Sequence, residues 1–135
     1  MPIASYRDLN VWKEGITISL AIYKLTSQFP DSERFGLVSQ MRRCAVSIPS
    51  NIAEGHARLS TREYLRFLSI SLGSLAELET QVHLSKELGY ARHESVADLL
   101  RKTDRLGKQM RSLTQSLRRK LSRVEDTPQP PVPGP

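Results

Sequence analysis

The stretch Arg42-Arg43-Cys44-Ala45-Val46-Ser47-Ile48-Pro49-Ser50-Asn51-Ile52-Ala53-Glu54-Gly55-His56-Ala57-Arg58 gathers most of the residue types that could do chemistry. Glu54 and His56 are acid–base types, and Cys44 and Ser47 are nucleophile types. General acid–base catalysis needs a second positioned group in a pocket, and a nucleophile needs an activating base beside it. Neither is evident. The three histidines, His56, His83 and His93, fall in separate segments. Di-metal sites in four-helix bundles draw glutamates from two helices and Glu-x-x-His from two others. Here Glu79 and His83 are spaced i, i+4 and the pair occurs once, so it reads as two polar residues on one helical face. No phosphate-binding loop, dinucleotide fingerprint or G-x-S-x-G nucleophile turn is present. Cys44 is the single cysteine, which rules out an intrachain disulfide and reads as a small packing residue rather than a reactive thiol. The expectation is a protein that is not an enzyme, with no metal and no cofactor.

Those residues sit on four amphipathic segments separated by turn signals, in a chain of 135 residues that suits one domain. The first runs from about Asp8, a plausible N-cap, to about Gln28, and ends at Phe29-Pro30-Asp31. The second runs from about Ser32 to Glu54, with Gly55 placed as a stop. Pro49 lies inside it. Proline lacks an N–H and its ring clashes with the carbonyl four residues back, so a kink or a break with a restart is expected near Ala45 to Ile48. Ser47, Ser50 and Asn51 are the side chains at hand to satisfy the freed backbone. The third segment opens on Ser60-Thr61-Arg62-Glu63, a capping box, and runs to about Leu88 before Gly89. The fourth starts between His93 and Ser95 and runs to about Arg123. Short connections favour antiparallel neighbours, so the fold expected is all-α, an up-down four-helix bundle over residues 1–124, with a disordered Pro-rich tail over residues 125–135.

Helix one carries two apolar stripes. Leu9, Trp12, Ile16, Leu20 and Tyr23 form one; Val11, Gly15, Ile18, Ile22 and Leu25 form another, nearly opposite. A helix in a monomeric bundle needs only one. The second face asks for another copy of the chain. In helix three, Phe67 and Ile70 similarly widen the seam of Leu65, Leu68, Leu72, Leu75 and Val82. The candidate oligomer interface is therefore Val11, Ile18, Ile22, Leu25, Phe67 and Ile70.

The formal charge is +6, and it is localised. From Arg101 to Arg123 there are nine Lys/Arg against one Asp, +8, which leaves −2 for the rest of the chain. In the same helix Val96, Leu99, Thr103, Leu106, Met110, Leu113, Leu117, Leu121 and Val124 make a coiled-coil-like seam, with a slip near Leu121. Arg101, Arg105, Lys108, Arg119 and Arg123 fall opposite that seam, flanked by Arg111 and Arg118. At 1.5 Å per residue the row is about 33 Å long and would track several phosphates. Arg42, Arg43, Arg58, Arg62 and Arg66 form a second basic cluster. No aromatic interrupts the row, so base stacking is not expected there; RNA or DNA would be held by backbone and shape. An acidic protein partner would use the same charge. No apolar run approaches the roughly 20 residues of a membrane span, and no basic start precedes an apolar block, so a cytoplasmic protein without membrane contact is expected.

Three segments together carry a family likeness: Asp8-Leu9-Asn10-Val11-Trp12-Lys13, Ile48-Pro49-Ser50-Asn51-Ile52-Ala53-Glu54-Gly55, and Phe67 through Gln81 with the sequence FLSISLGSLAELETQ. The chain resembles, over residues 5 to 120, the four-helix-bundle proteins encoded in intervening sequences of bacterial large-subunit ribosomal RNA genes, often labelled ribosomal-protein-like. That family also includes the accessory variability determinants of diversity-generating retroelements. The resemblance implies a homopentameric barrel. For the retroelement relatives it implies a basic surface that binds nucleic acid and a partner reverse transcriptase. It implies no catalytic residue, and it casts Pro49 and Gly55 as framework positions.

Overall fold

The computed structural model describes residues 5–126. Four helices make the bundle: α1 (Asn10–Thr26), α2 (Leu37–Ala57), α3 (Thr61–Glu87) and α4 (His93–Asp126). Single 3-10 turns at Tyr6–Asp8 and Asp31–Glu33 precede α1 and α2, and no strand occurs among the described residues. Each helix packs on its neighbours in sequence, and α1 closes the square against α4. The pairings run antiparallel: Ser19 meets Ala45 while Arg42 reaches Thr26, and Ser71 meets Ile48 while Ser85 reaches Met41.

Local signals set the ends. Ser60 accepts from the Glu63 N–H at 3.0 Å, which starts α3 with the first half of the expected capping box. Gly89 takes φ +79°, a conformation glycine adopts without steric cost. It closes α3 with Tyr90 N–H to Ser85 C=O and Gly89 N–H to Lys86 C=O, both 2.9 Å, a Schellman pair. Asp8 does not cap α1; it ends the 3-10 turn, and Leu9 takes the cap position without a side-chain bond. The second segment starts later than expected, because Asp31–Glu33 forms its own turn. Helix α4 continues to Asp126, past the expected domain boundary at 124, and the rest of the Pro-rich tail lies outside the described residues.

Helix α2 runs unbroken through Pro49, so of the kink or break expected there the break and restart do not occur. Proline inside a helix costs about 3 kcal/mol, partly through the carbonyl it strands. That carbonyl belongs to Ala45, and the Ser19 hydroxyl of α1 shares its single proton between it, at 3.2 Å, and Gly15 C=O of its own helix, at 2.9 Å. The compensation thus comes from across the bundle. Ser47 instead donates to Cys44 C=O at 2.6 Å, and Asn51 to Ser47 C=O at 2.7 Å. The proline ring lies on Gly15, where an added Cβ would stand 3.1 Å from the Pro49 Cβ. Gly55 does the same against α3: a Cβ there would meet Phe67 Cβ at 2.7 Å. Gly55 is therefore a crossing point inside α2, two residues before its end, and not the stop itself.

The core corrects the expected oligomer face. Ile18 and Ile22 are wholly buried within the single chain, beside Met41, Ile48, Ile52, Leu68, Leu78, Leu106 and Met110. Val11 is buried too, Leu25 is half-buried against the same core, and Phe67 is buried over Gly55. Of the six residues proposed for an oligomer interface only Ile70 is exposed. Helix α1 does carry two apolar stripes, but the roles are reversed. Ile16, Leu20 and Tyr23 face outward, with Leu20 67% exposed. Gly15 and Ser19 explain the choice: only their side of α1 is small enough to lie against Pro49 and polar enough to serve Ala45.

Candidate nucleic-acid interface

The seam of α4 is buried as its spacing requires at Val96, Leu99, Thr103, Leu106 and Met110. The cations opposite it are exposed, but they fall into two unlike halves. Near the start of α4, Arg101 and Lys102 both reach Asp98, at 3.3 and 3.4 Å. Arg105 lies 3.9 Å from Glu14 of α1, and Lys108 lies 3.3 Å from Asp104. Exposed pairs such as these are worth about 0–1 kcal/mol and can open, but their carboxylates cancel the local field. From His93 to Lys108 there are four Lys/Arg against three Asp/Glu, with Glu14 of α1 as a fourth carboxylate. From Gln109 to Val124, beyond the paired Arg105 and Lys108, there are five Lys/Arg and no acid before Glu125 and Asp126 end the helix. Arg111 folds its guanidinium back over Gly107. Arg118, Arg119 and Lys120 are exposed and make no ion pair among the described residues. Arg123 is exposed on the same helix. The uniform 33 Å row expected from sequence is thus a neutralised half followed by a cationic one.

The second arginine cluster serves the fold. Arg42 lies over the Tyr23 ring at 4.5 Å and donates to Thr26 Oγ1 at 2.9 Å and to Tyr23 C=O at 3.3 Å. It thereby closes the last turn of α1 and pins it to α2. Arg58 pairs with Glu54 at 3.1 Å and lies over the Phe67 ring at 5.0 Å. Arg66 pairs with Glu63 at 3.7 Å. Arg43 and Arg62 are exposed. Arg42, Arg58 and Arg66 are thus drawn into separate local contacts rather than one concentrated field.

The residues with catalytic types are also committed. Glu54 holds Arg58, and His56 sits edge-on against Tyr64 with ring centroids 5.8 Å apart. Glu79 accepts from Thr103 at 3.0 Å, joining α3 to α4. The Cys44 thiol donates to Ser74 C=O at 3.0 Å. Burial first, and the Glu77 carboxylate second, push its pKa up to about 12, so it remains a neutral thiol. No group of three metal-ligating side chains occurs among the described residues. No helix among them is long and apolar enough to cross a membrane.

One surface escaped the sequence reading. Leu20, Tyr23, Phe35 and Val46 are exposed along α1 and α2, with Phe35 88% accessible. Tyr23, Phe35, Val46 and Arg43 line a shallow groove of about 500 Å³. The signal was present in the outward stripe of α1, and in a phenylalanine placed between two helices.

An all-α square bundle with a long helix, cationic over its distal half, is the class of protein these features define. The chain belongs to the family of 23S rRNA-intervening sequence proteins, whose family model matches residues 7–112. Among solved structures, it is similar to a protein of unknown function from the S23 ribosomal protein family of Bacteroides thetaiotaomicron. The likeness has a TM-score of 0.72 at 21% sequence identity, over 78% of this chain and 95% of that one, and it supports the fold. No curated protein matches the chain. The family match ends at residue 112, so Arg118, Arg119 and Lys120 lie beyond it.

Proposed function

We propose that this protein is a non-enzymatic, homo-oligomeric helical scaffold that binds structured RNA or DNA through the distal half of α4. One observation carries the reading: five Lys/Arg without an acid between Gln109 and Val124, exposed on a helix whose other side is held by the core. Arginine forks onto phosphate oxygens, and a helix with no aromatic in the row engages backbone rather than bases. The family's tie to ribosomal RNA genes points the same way. The oligomer buries Ile16, Leu20, Tyr23, Phe35 and Val46, an apolar surface that one chain leaves wet. A pentamer is the assembly the family resemblance implies, and the cytoplasm is the compartment we assign. Titrating a short RNA duplex at two salt concentrations tests the reading: affinity that falls steeply with salt is expected. No binding at low salt, or binding indifferent to salt, refutes it.

A second reading is an adaptor that docks an acidic protein partner, such as a reverse transcriptase. It is favoured by one observation. Beside those cations, Val124 is 65% exposed at the end of the apolar seam, and phosphates have no use for it. Retention of one protein partner from a nuclease-treated lysate, in place of duplex binding, selects it.

A further inference from the structure

We propose that the last turns of α4, from Leu113 to Val124, form a docking arm for an acidic amphipathic helix of a partner protein. The inference deepens the adaptor reading and rests on it; the duplex titration can fail without touching it.

The arm exists because α4 outruns its neighbours. It has 34 residues against 27 in α3 and 17 in α1. At 1.5 Å per residue it exceeds α3 by roughly 10 Å. The α4 seam is continuous through this change. Leu106 and Met110 are fully buried, Leu113, Leu117 and Leu121 are partly covered, and Val124 is open. Where α1 begins, a groove of about 530 Å³ opens between its first turn and α4, lined by Leu9, Val11, Gln109, Leu113 and Ser116. An incoming helix would abut α1 there and extend the bundle along a seam the chain already uses.

The chemistry selects the occupant. The seam is narrow, spaced by threes and fours, and has no aromatic, which suits a second helix better than the broad apolar face that lies on lipid. A second copy of the arm would set two cationic helices side by side, because residues 113–124 carry four Lys/Arg and no acid. Phosphates would engage the cations and leave Leu121 and Val124 wet. A helix with a leucine seam flanked by Glu satisfies both features at once. The arm lies beyond the family-matched residues 7–112, so its partner would be particular to this chain rather than common to the family.

The test uses the full chain and a fluorescent synthetic peptide of roughly four heptads, with Leu at the seam positions and Glu on the flanks. Saturable binding is expected. A peptide of the same composition with its seam scrambled should bind about tenfold more weakly, and Leu121→Ser with Val124→Ser should lower affinity for the intact peptide by a similar factor. Both side chains lie outside the buried core, so the melting temperature of that variant should match the parent and separate lost docking from lost folding. Equal binding of the two peptides overturns the proposal, because charge alone then suffices. So does an unchanged affinity of the double variant. A smaller oligomer on sedimentation of that variant also overturns it, by showing that the seam is covered by another copy. An equal loss of RNA-duplex affinity overturns it in favour of nucleic acid.

Discussion

The Pro49 segment of α2 and the distal half of α4 are both conspicuous in sequence, and they stand at opposite extremes of commitment. Around Pro49 every unusual residue has an internal partner. The ring rests on Gly15, the stranded Ala45 carbonyl accepts from Ser19, Gly55 admits Phe67, and Arg42 closes α1. At the far end of α4, Arg118, Arg119 and Lys120 have no ion-pair partner among the described residues, and Val124 is open. Residue types that resemble an active site are consumed by the fold. Residues that look like an ordinary solvated face are the ones left over for a partner.

That contrast can be broken or sharpened by substitution. Gly55→Ala should have the largest effect on stability. Its Cβ would stand 2.7 Å from the Phe67 Cβ, an atom tied closely to the α3 backbone, and overpacking of this kind costs about 2–3 kcal/mol. A denaturation midpoint unchanged by this substitution would show the helix crossing to be loose. Ser19→Ala comes next. It leaves the Ala45 carbonyl without the donor it shares with Gly15 C=O, which should cost about 1 kcal/mol in the same measurement. Gly73→Ala should move stability the other way. Nothing lies within 4 Å of a Cβ at that position, so removing a helix-interior glycine should gain about 0.5–1 kcal/mol. The contrast between Gly55 and Gly73, both helical glycines, isolates packing from propensity. Cys44 should show the smallest response. Its thiol, with a pKa pushed to about 12, should resist alkylation through pH 8 until denaturant is added, because the thiolate is the reactive form. Rapid labelling of the folded protein would contradict the committed state of this segment.

Much of this architecture was legible in the residues. The Ser60 cap, the glycine at position 89 and the α4 seam from Val96 to Met110 each have a local chemistry that reads directly, and each is found where expected. The direction of α1 was not legible from apolar pattern alone. Two stripes of equal strength leave the choice to what lies opposite, and that depends on Pro49, which is 34 positions from Gly15. The fate of the Ala45 carbonyl was hidden for the same reason: local serines were the visible donors, but Ser19 on another helix is the one in reach. The division of α4 into two electrostatic halves was partly visible. Asp98 and Asp104 stand three or four residues from Arg101, Lys102 and Lys108, the spacing of helical ion pairs. The Glu14 contact to Arg105 needed the fold.

The claim that binding belongs to the distal half of α4 is tested most directly by two triple variants in one assay. Arg118→Gln, Arg119→Gln and Lys120→Gln remove the unpaired cations; Arg101→Gln, Lys102→Gln and Lys108→Gln remove the same charge from the paired half. RNA-duplex affinity is then measured across a salt series. The distal variant should lose more than tenfold at about 0.1 M salt, with a salt slope shallower by roughly 2 to 3, while the proximal variant should stay within about threefold of the parent. Equal losses from the two variants, or an unchanged slope in the distal one, would contradict the assignment.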